Sequence, residues 1–411
     1  MDGNLLHHVI IGNGGAGVSA LQAIREIDKK SDITIISREK YPAYSPCSLP
    51  NLIGGEITKP KIFRFDSNFY NTLNAKFMKN CEAVNIFPDK KKIKLADGSS
   101  IKFDKILISA GAVPITPKGL EDLTLDGVHI MGTLNSSLQI VNNIKQGVNH
   151  AVIVGGGFMG VETACMLKKR GIDVTIVEML PNILSRMLDS DVSEKVEEIL
   201  KKNDISLILN DSVKRINGKN KVTGVTLSKK KLKCDMVVLA IGVAPNIDII
   251  KGSGIKVNRG IIVDATMKTN KQDIYAAGDI AEVYEQILGK QGSFAIWPNA
   301  IEQGRIAGLN MAGKISNYDG AEIVNVLDIF NTPIVAMGYI LKDIGKCKKI
   351  IRSTPDTYKK ILIKKNRMVG LQFVGSIRNT GTFYSLIKNG LDISEIEERL
   401  LDDNFVISPN I

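Results

Sequence analysis

Aromatic residues are scarce in this sequence, where they make up 5% of 411 residues. So few flat side chains leave little material for a surface that stacks nucleic-acid bases. Long apolar runs are also missing, since none approaches the ~20 residues that a transmembrane helix needs. The N-terminus has no basic segment before its first predicted strand, so we do not interpret it as a signal peptide. We therefore expect no membrane span and no nucleic-acid partner.

Cysteines are few and odd in number: Cys47, Cys81, Cys165, Cys234 and Cys347. They form no C-x-x-C pair, so they fit neither a disulfide framework nor a zinc ribbon. We predict no metal site. Such a pattern favours a reducing, cytoplasmic setting.

Positive charge exceeds negative charge, with 54 Lys and Arg against 43 Asp and Glu and a formal net charge of +11. The lysines are scattered in short groups next to predicted hairpins and helix ends. Such scatter indicates a solvated surface. The net charge would still help to attract an acidic protein partner.

A glycine-rich motif, Gly12-x-Gly14-x-x-Gly17, lies between a predicted strand and a predicted helix in residues 8–37. In this context the first glycine allows a tight turn, and the second lets the backbone approach a pyrophosphate. The third lets helix and strand pack closely. The phosphates then bind free N–H groups at the positive end of the helix. Gly15 and Ala16 complete the predicted loop contacts.

The same unit occurs again in residues 150–178, where Glu178 ends the second predicted strand. A carboxylate there accepts from a ribose 2′-hydroxyl and repels a 2′-phosphate. No arginine follows closely, so the sequence favours NADH over NADPH. The predicted loop contacts are Gly155, Gly157, Phe158, Met159 and Gly160.

The first unit ends differently, because Ser37 stands where the acid is expected. Ribose contact here comes from Glu39 two residues later, from backbone groups, or from Ser37. We favour Glu39.

Three further segments, FDKILISAGAVP (103–114), CDMVVLAIGVAPN (234–246) and IYAAGDIAE (274–282), complete a pattern. With the two loops, the whole chain resembles the FAD-dependent pyridine nucleotide–disulfide oxidoreductase superfamily. The resemblance implies an α/β fold of two Rossmann-like domains, with the NAD domain inserted in the FAD domain, plus a C-terminal α+β interface domain. The implied bounds are 1–120 and 248–321 for FAD, 121–247 for NAD(H), and 322–411 for dimerisation.

The resemblance also implies roles for single residues. Asp279 would lie on the FAD ribityl chain, and Ala110 stands where the family usually has a threonine, with the loss of one hydroxyl contact. Glu162 would lie by the nicotinamide and flavin, or is a helix acid favoured by the dipole. Trp297, the only tryptophan, either contacts the flavin or packs in a core. The other implied cofactor-binding residues are Val84, Gly111 and Gly242.

Cys47 lies in a segment, CSLP at 47–50, that resembles the single-cysteine branch of the superfamily. The second cysteine of the dithiol branch is replaced by Leu52, and the basic pair of the ferredoxin-reductase branch by Pro46 and Asn51. With Ser45 as N-cap, Cys47 is predicted in the first turn of a helix, where the dipole favours the thiolate. The alternative is a small buried residue.

The last 90 or so residues change to a strand pattern, with KKNR (364–367) as a predicted hairpin turn. This region lacks the Tyr-Ala-Pro-Pro segment of coenzyme A-disulfide reductases, and resembles rubredoxin reductases and nitrite reductase flavin domains. One function is therefore a homodimeric, FAD-dependent NADH oxidoreductase that reduces a disulfide, persulfide or oxygen through Cys47. A second is a rubredoxin or ferredoxin reductase with Cys47 a bystander. A third is a non-catalytic FAD-binding partner or sensor.

Overall fold

The computed structural model describes residues 5–66, 68–117, 120, 123–287, 289–402 and 405. These residues form two compact units, each assembled from separate stretches of chain. Unit 1 takes the described residues of Met1–Ser48, Thr58–Val113 and Val243–Glu322. Unit 2 takes those of Leu49–Ile57, Pro114–Gly242 and Ile323–Ile411.

The strands follow in chain order. They are β1 His7–Ile11, β2 Asp32–Ile36, β3 Ala75–Met78, β4 Ala83–Phe87, β5 Lys92–Leu95, β6 Ser100–Lys102, β7 Lys105–Ile108, β8 Ala112–Pro114, β9 Val128–Ile130, β10 His150–Val154, β11 Asp173–Val177, β12 Ile205–Ile208, β13 Val213–Gly218, β14 Val222–Leu227, β15 Lys231–Lys233, β16 Met236–Leu239, β17 Val243–Pro245, β18 Ile261–Ile262, β19 Ile274–Ala276, β20 Ala281–Glu285, β21 Lys290–Gly292, β22 Val324–Ile329, β23 Thr332–Gly338, β24 Lys348–Ser353, β25 Tyr358–Lys364 and β26 Arg367–Val374.

The helices are mostly short. The α-helices are α1 Gly15–Ile27, α2 Leu49–Gly54, α3 Phe69–Thr72, α4 Leu134–Lys145, α5 Phe158–Lys169, α6 Ser190–Lys202, α7 Trp297–Met311, α8 Leu341–Ile344 and α9 Thr380–Asn389. The 3₁₀ helices are Pro46–Ser48, Lys59–Ile62, Pro88–Lys90, Ile247–Ile250 and Glu397–Arg399. In the described part of the chain, none of the helices has the length and apolar character needed to cross a membrane.

Unit 1 is built on a five-stranded sheet in the order β19-β7-β1-β2-β3, whose strands all run parallel. Its central strands are short apolar runs with buried side chains, as expected for strands covered on both faces. Helix α1 lies against α7, and a side chain at Gly304 or Gly308 would meet α1 backbone oxygens at 2.1 and 2.5 Å. Two antiparallel sheets, β4-β5-β6 and β20-β21 with β18 beside β20, complete the unit.

Unit 2 contains a second parallel sheet in the order β12-β11-β10-β16-β9. The hairpins β13-β14-β15 follow β12 in sequence, and helices α4, α5 and α6 accompany the parallel sheet. This unit repeats the strand–glycine loop–helix–strand order of unit 1. The predicted pair of Rossmann-like folds is confirmed.

The C-terminal part of unit 2 is an antiparallel sheet in the order β22-β23-β26-β25-β24, with α9 packed on β26. Its β25–β26 turn has Lys365 and Asn366 at φ +51° and +56°, the left-handed pair of a tight hairpin. The hairpin predicted at KKNR and the α+β character of this region are both confirmed.

Candidate active site

The parallel register of unit 1 brings the ends of its strands to one edge. Ile11 pairs with Ile36 and with Ile108, and Ile108 pairs with Ala276. The residues that follow these aligned ends are Gly12, Ser37, Ala110, Gly111 and Asp279. The structure therefore brings these five predicted cofactor-binding residues to the carboxyl edge of one sheet, where open α/β sheets bind ligands.

The three glycines of the first loop have different neighbours. Gly12 has φ +108°, and a Cβ on it would lie 2.0 Å from the Ser109 carbonyl oxygen. A Cβ on Gly17 would lie 1.9 Å from the Gly12 oxygen, whereas one on Gly14 has no heavy atom within 4 Å. The protein's own packing thus explains Gly12 and Gly17. The open space at Gly14, before the N-terminus of α1, fits a pyrophosphate that contacts the backbone.

Trp297 begins α7 and lies over the start of α1. A Cβ on Gly15 would be 3.1 Å from the edge of its indole ring. A Cβ on Gly278 would likewise lie 3.2 Å from the Cβ of Ala16. The indole is only half-buried. Trp297 therefore packs beside the first loop, a position that serves either of the roles predicted for it.

Asp279 has a carboxylate that few protein groups stabilise. Burial raises its pKa to about 6, and no described group donates a hydrogen bond to its side chain; its own carbonyl accepts from Ser293 Oγ at 3.0 Å. The residue is partly exposed by its accessible surface, and its carboxylate oxygens keep open acceptor capacity. The hydroxyls of a ribityl chain would be suitable donors.

Glu39 and Ser37 differ in whether a side-chain oxygen remains available to accept a hydrogen bond from a ligand. Ser37 is 7% exposed, and its Oγ accepts the Glu39 N–H at 3.2 Å. Glu39 Oε2 accepts from the Tyr44 hydroxyl at 2.7 Å, while its Oε1 is buried with no partner among the described residues. The open acceptor on Glu39 makes it the better candidate for a ribose hydroxyl.

Two residues that the sequence reasoning missed tie the segment before Cys47 to the first loop. Asn13 Nδ2 donates to the Tyr41 carbonyl at 3.3 Å, and Asn13 Oδ1 accepts from the Tyr70 hydroxyl at 2.8 Å. The same hydroxyl accepts the Ala43 N–H at 3.2 Å, and burial raises the pKa of Tyr70. Residues 41–43 are therefore anchored to the glycine loop four residues before Cys47.

Cys47 itself is exposed, so the alternative of a small buried residue is wrong. It lies in the 3₁₀ helix Pro46–Ser48, which leads along the chain into α2 and is closed by the Ser48 N–H donating to Ser45 at 3.0 Å. The expected first turn of an α-helix is thus a 3₁₀ turn, because a helix of this length with Pro50 in it has few intrahelical donors.

The other four cysteines are less accessible than Cys47. Burial raises the pKa of Cys165 and of Cys234 to about 12. Cys81 and Cys347 are partly buried, and burial raises the pKa of each. Of the five thiols, all within the described residues, Cys47 is the most open to a substrate.

The second loop repeats the geometry of the first within unit 2. Val154 pairs with Val177 in register, so Gly155 and Glu178 follow aligned strand ends. A Cβ on Gly155 would lie 2.5 Å from the Ala240 oxygen and one on Gly160 2.0 Å from the Gly155 oxygen, whereas one on Gly157 has no heavy atom within 4 Å. The second loop therefore also fits a pyrophosphate. Phe158 and Met159 begin α5 directly after it.

Glu178 lies against the second loop. Its Oε2 accepts the Gly156 N–H at 2.6 Å, and its Oε1 accepts the Leu180 N–H at 2.8 Å. These two bonds fix the carboxylate at the edge where a nucleotide ribose would lie, and each oxygen keeps acceptor capacity. Met179 beside it is 70% exposed.

Glu162 lies in the first half of α5. Burial raises its pKa to about 7, and its Oε2 has no partner among the described residues. This carboxyl group therefore releases its proton at a higher pH than a plain solvent-facing helix acid does.

Two predicted site residues have surroundings of a different kind. Val84 lies on β4 of the antiparallel sheet, 39% exposed, and not at the carboxyl edge of the parallel sheet. Gly242 has φ +112°, and its carbonyl accepts the Ile115 N–H at 2.9 Å. Neither contact reveals a cofactor role, so both assignments stay predictions.

Comparison with known proteins decides the family. Residues 6–304 match the family model described as pyridine nucleotide-disulphide oxidoreductase, and residues 324–391 match the rubredoxin NAD+ reductase C-terminal domain. The chain belongs to the pyridine nucleotide-disulphide oxidoreductase family. It is an oxidoreductase, and the predicted family, fold class and enzyme activity are confirmed.

Individual family members show different activities. The chain is 33% identical to an NADH oxidase of Methanocaldococcus jannaschii, over 90% of this chain and 88% of the relative. It is 29% identical to an NADH-rubredoxin oxidoreductase of Clostridium acetobutylicum, over 94% of each. Its structure resembles an NAD-dependent persulfide reductase from A. fulgidus with TM-score 0.91, 25% identity, and coverage of 98% of this chain and 80% of that one.

Proposed function

We propose that this protein is an FAD-dependent NADH oxidoreductase that delivers two electrons to an acceptor bound at Cys47. The observation that carries the proposal is the anchoring of the segment before Cys47, the exposed thiol, to the first glycine loop through Asn13. NADH oxidase and persulfide reductase relatives support the same chemistry.

The geometry of the two edges supports a place for each cofactor. The first loop would hold the FAD pyrophosphate on its backbone N–H groups, with Asp279 accepting from the ribityl chain and Glu39 from the ribose. The second loop would hold NADH, with Glu178 on its adenosine ribose. FAD, when bound, accepts a hydride from NADH and passes the electrons on. The protein binds and orients both nucleotides, and Glu162 provides a carboxyl group that can hold or release a proton near pH 7.

Cys47 would supply the covalent chemistry with a disulfide or persulfide. Its thiolate attacks one sulfur of the substrate and forms a mixed disulfide, and the other sulfur leaves as a thiolate. Two electrons and the required protons then return Cys47 to the thiolate and release the second product. A thiol that must be reduced again in every cycle suits a cytoplasmic setting.

Nicotinamide selectivity would depend on Glu178. Its fixed carboxylate, next to the exposed Met179, favours a ribose with a free 2′-hydroxyl and repels a 2′-phosphate. We expect Glu178→Gln to lower the ratio of kcat/KM for NADH to that for NADPH by about tenfold, since one charge repulsion is removed. An unchanged ratio would refute this role.

The Cys47 mechanism is tested by Cys47→Ser, with Cys347→Ser as the matched control. We expect Cys47→Ser to bind FAD and to bleach its visible absorbance with NADH, but to lose turnover of coenzyme A disulfide and persulfide. Cys347→Ser, which removes a partly buried thiol of raised pKa, should behave as the unaltered protein does. Normal turnover of these acceptors by Cys47→Ser would contradict the proposal.

A second candidate acceptor is a small redox protein, favoured by the match of residues 324–391 to the rubredoxin NAD+ reductase C-terminal domain. In that case Cys47→Ser reduces rubredoxin at the normal rate. The rate should also fall steeply with salt, because the net charge of +11 would attract an acidic partner. The same variant therefore separates the two candidates.

We also propose a homodimer that forms through the C-terminal sheet. Val326 on β22 is 54% exposed, and burial of such an apolar side chain is a usual feature of homodimer interfaces.

A further inference from the structure

Unit 1 has a cavity of 440 Å³ at the end of its parallel sheet opposite the glycine loop. Lys105 begins β7 and Asp273 precedes β19, whereas Gly111 and Asp279 follow the other ends of the same two strands. The residues that matter for its chemistry are Lys105, Lys268, Lys271, Asp273, Tyr275 and Ile315. Because strands rise about 3.3 Å per residue, β7 separates the cavity from the loop edge by roughly 13 Å.

Positive charge in this cavity exceeds the acidic groups that could neutralise it. Asp273 is already paired with Lys91, whose Nζ lies 2.8 Å from its carboxylate. Lys271 has only Asp89, at 3.7 Å. Lys268 is exposed, and no acidic group in the described part of the chain pairs with its ammonium.

Lys105 is the half-buried member of the set. Its ammonium donates to the carbonyl oxygen of Met311 at 2.6 Å, at the C-terminal end of α7. Burial lowers the pKa of Lys105, and the nearby charges of Lys268 and Lys91 lower it further, whereas the carboxylates of Asp273 and Asp28 oppose this shift. Three lysines thus line the cavity, with the carboxylate of Asp273 as the one acidic group among the described lining residues.

The rim of the cavity is held in place by short-range hydrogen bonds. Asp264 Oδ1 accepts from the Thr266 N–H at 2.8 Å and from the Lys268 N–H at 3.0 Å. Asn270 donates to the Gly254 carbonyl at 3.0 Å and accepts the Lys256 N–H at 2.8 Å. A ligand would therefore meet lysines whose backbone positions are already fixed, which lowers the entropic cost of binding.

We propose that this cavity binds the phosphate group of a small phosphorylated molecule. Lysine ammonium groups act as point charges that suit phosphate, whereas planar bidentate recognition of a carboxylate is the usual work of arginine. No arginine is among the described residues that line the cavity. Its 440 Å³ falls within the range of about 300 to 1,000 Å³ typical of ligand pockets. Ile315, which is 87% exposed, offers apolar surface to the rest of such a molecule.

The test is calorimetric titration of the FAD-loaded protein with ribose 5-phosphate, inorganic phosphate and ribose at low salt. These probes carry no adenine that could direct them to the dinucleotide sites. We expect both phosphate-bearing probes to bind and ribose not to bind. Tighter binding of ribose 5-phosphate than of inorganic phosphate identifies a phosphorylated molecule as the ligand, and equal affinity identifies free phosphate.

The variants are Lys268→Ala and, as control, Lys76→Ala, which removes the same charge from an exposed position on β3. Loss of one charge-assisted contact should weaken phosphate binding about tenfold in Lys268→Ala and leave it unchanged in Lys76→Ala. Both positions are exposed, so both variants should fold. The proposal is overturned if neither phosphate probe binds, or if the two variants weaken binding equally.

Discussion

Gly14→Ala separates cofactor binding from folding, because nothing in the protein occupies the space beside Gly14. Its φ of −88° and ψ of −167° are open to alanine, and an added Cβ has no heavy atom within 4 Å. Alanine restricts the unfolded chain and so stabilises by about 0.4 to 1 kcal/mol. It is also a poorer N-cap than glycine, at a cost of similar size. We therefore expect the free energy of unfolding to change by less than about 0.5 kcal/mol.

Affinity for FAD should change far more than stability. The methyl group would stand where the pyrophosphate has to contact the backbone, so at least one hydrogen bond to a charged oxygen is lost. Such a bond contributes about 1.5 to 3 kcal/mol, which corresponds to roughly 10- to 100-fold in affinity. Urea unfolding of the apoprotein and fluorescence titration with FAD measure the two quantities independently.

Two comparators make the reasoning refutable. Gly17→Ala would place Cβ 1.9 Å from the Gly12 oxygen, so it should lower the free energy of unfolding by about 2 kcal/mol or more. Gly157→Ala, with the same open space as Gly14, should retain FAD and lose affinity for NADH instead. If Gly14→Ala bound FAD normally, or if Gly14→Ala and Gly17→Ala destabilised the protein equally, the pyrophosphate assignment would be wrong.

Two further predictions concern charged groups of unit 2. Lys360 is 1% exposed and pairs with Asp189 at 2.8 Å and Asp191 at 2.7 Å; Lys360→Met should cost about 3 to 5 kcal/mol in urea unfolding, because it leaves a buried carboxylate without its cation. The control is Lys359→Met, which removes a half-buried lysine whose ammonium lies over the Phe373 ring, and equal losses would refute the buried pair. In the folded protein burial raises the pKa of Glu162 to about 7, from the usual 4.5. The contribution of this shift to the free energy of unfolding is therefore fully present below about pH 4.5 and lost above about pH 7. The total change is about 3 kcal/mol. Glu162→Gln should abolish that loss, and parallel stability–pH profiles for the two proteins would contradict it.

The sequence was sufficient for the parts of the site that depend on local pattern. Both glycine loops lie between a strand and a helix, and the parallel register then forces Gly12 and Ala110 to one edge. Glu178 was predictable for the same reason, since it ends a strand next to the one that carries its loop. Backbone hydrogen bonding sets these positions, so periodicity and glycine spacing are enough to predict them.

Contacts between distant residues were not predictable from the sequence. Asn13 contacts Tyr70 across 57 positions of sequence, and Lys360 contacts Asp189 across 171 positions; no periodic pattern links either pair. An asparagine between two glycines of the loop was the only available hint of the first contact. The 3₁₀ geometry at Cys47 also went unrecognised, because Pro50 shortens a helix whose start the sequence does indicate.

The discontinuous chain of unit 1 has a consequence for folding. Strand β19 pairs with β7, and helix α7 packs against α1. In sequence, however, Pro114–Gly242 of unit 2 lie between the two members of each pair. During synthesis the first half of unit 1 therefore has an unpaired β7 edge and an uncovered α1 until the inserted residues have emerged. The parallel sheet of unit 2 can close before this, because all five of its strands lie within one continuous stretch. Such long-range closure is slow, so the parallel sheet of unit 1 should be completed after the parallel sheet of unit 2 and should depend more on protection from aggregation.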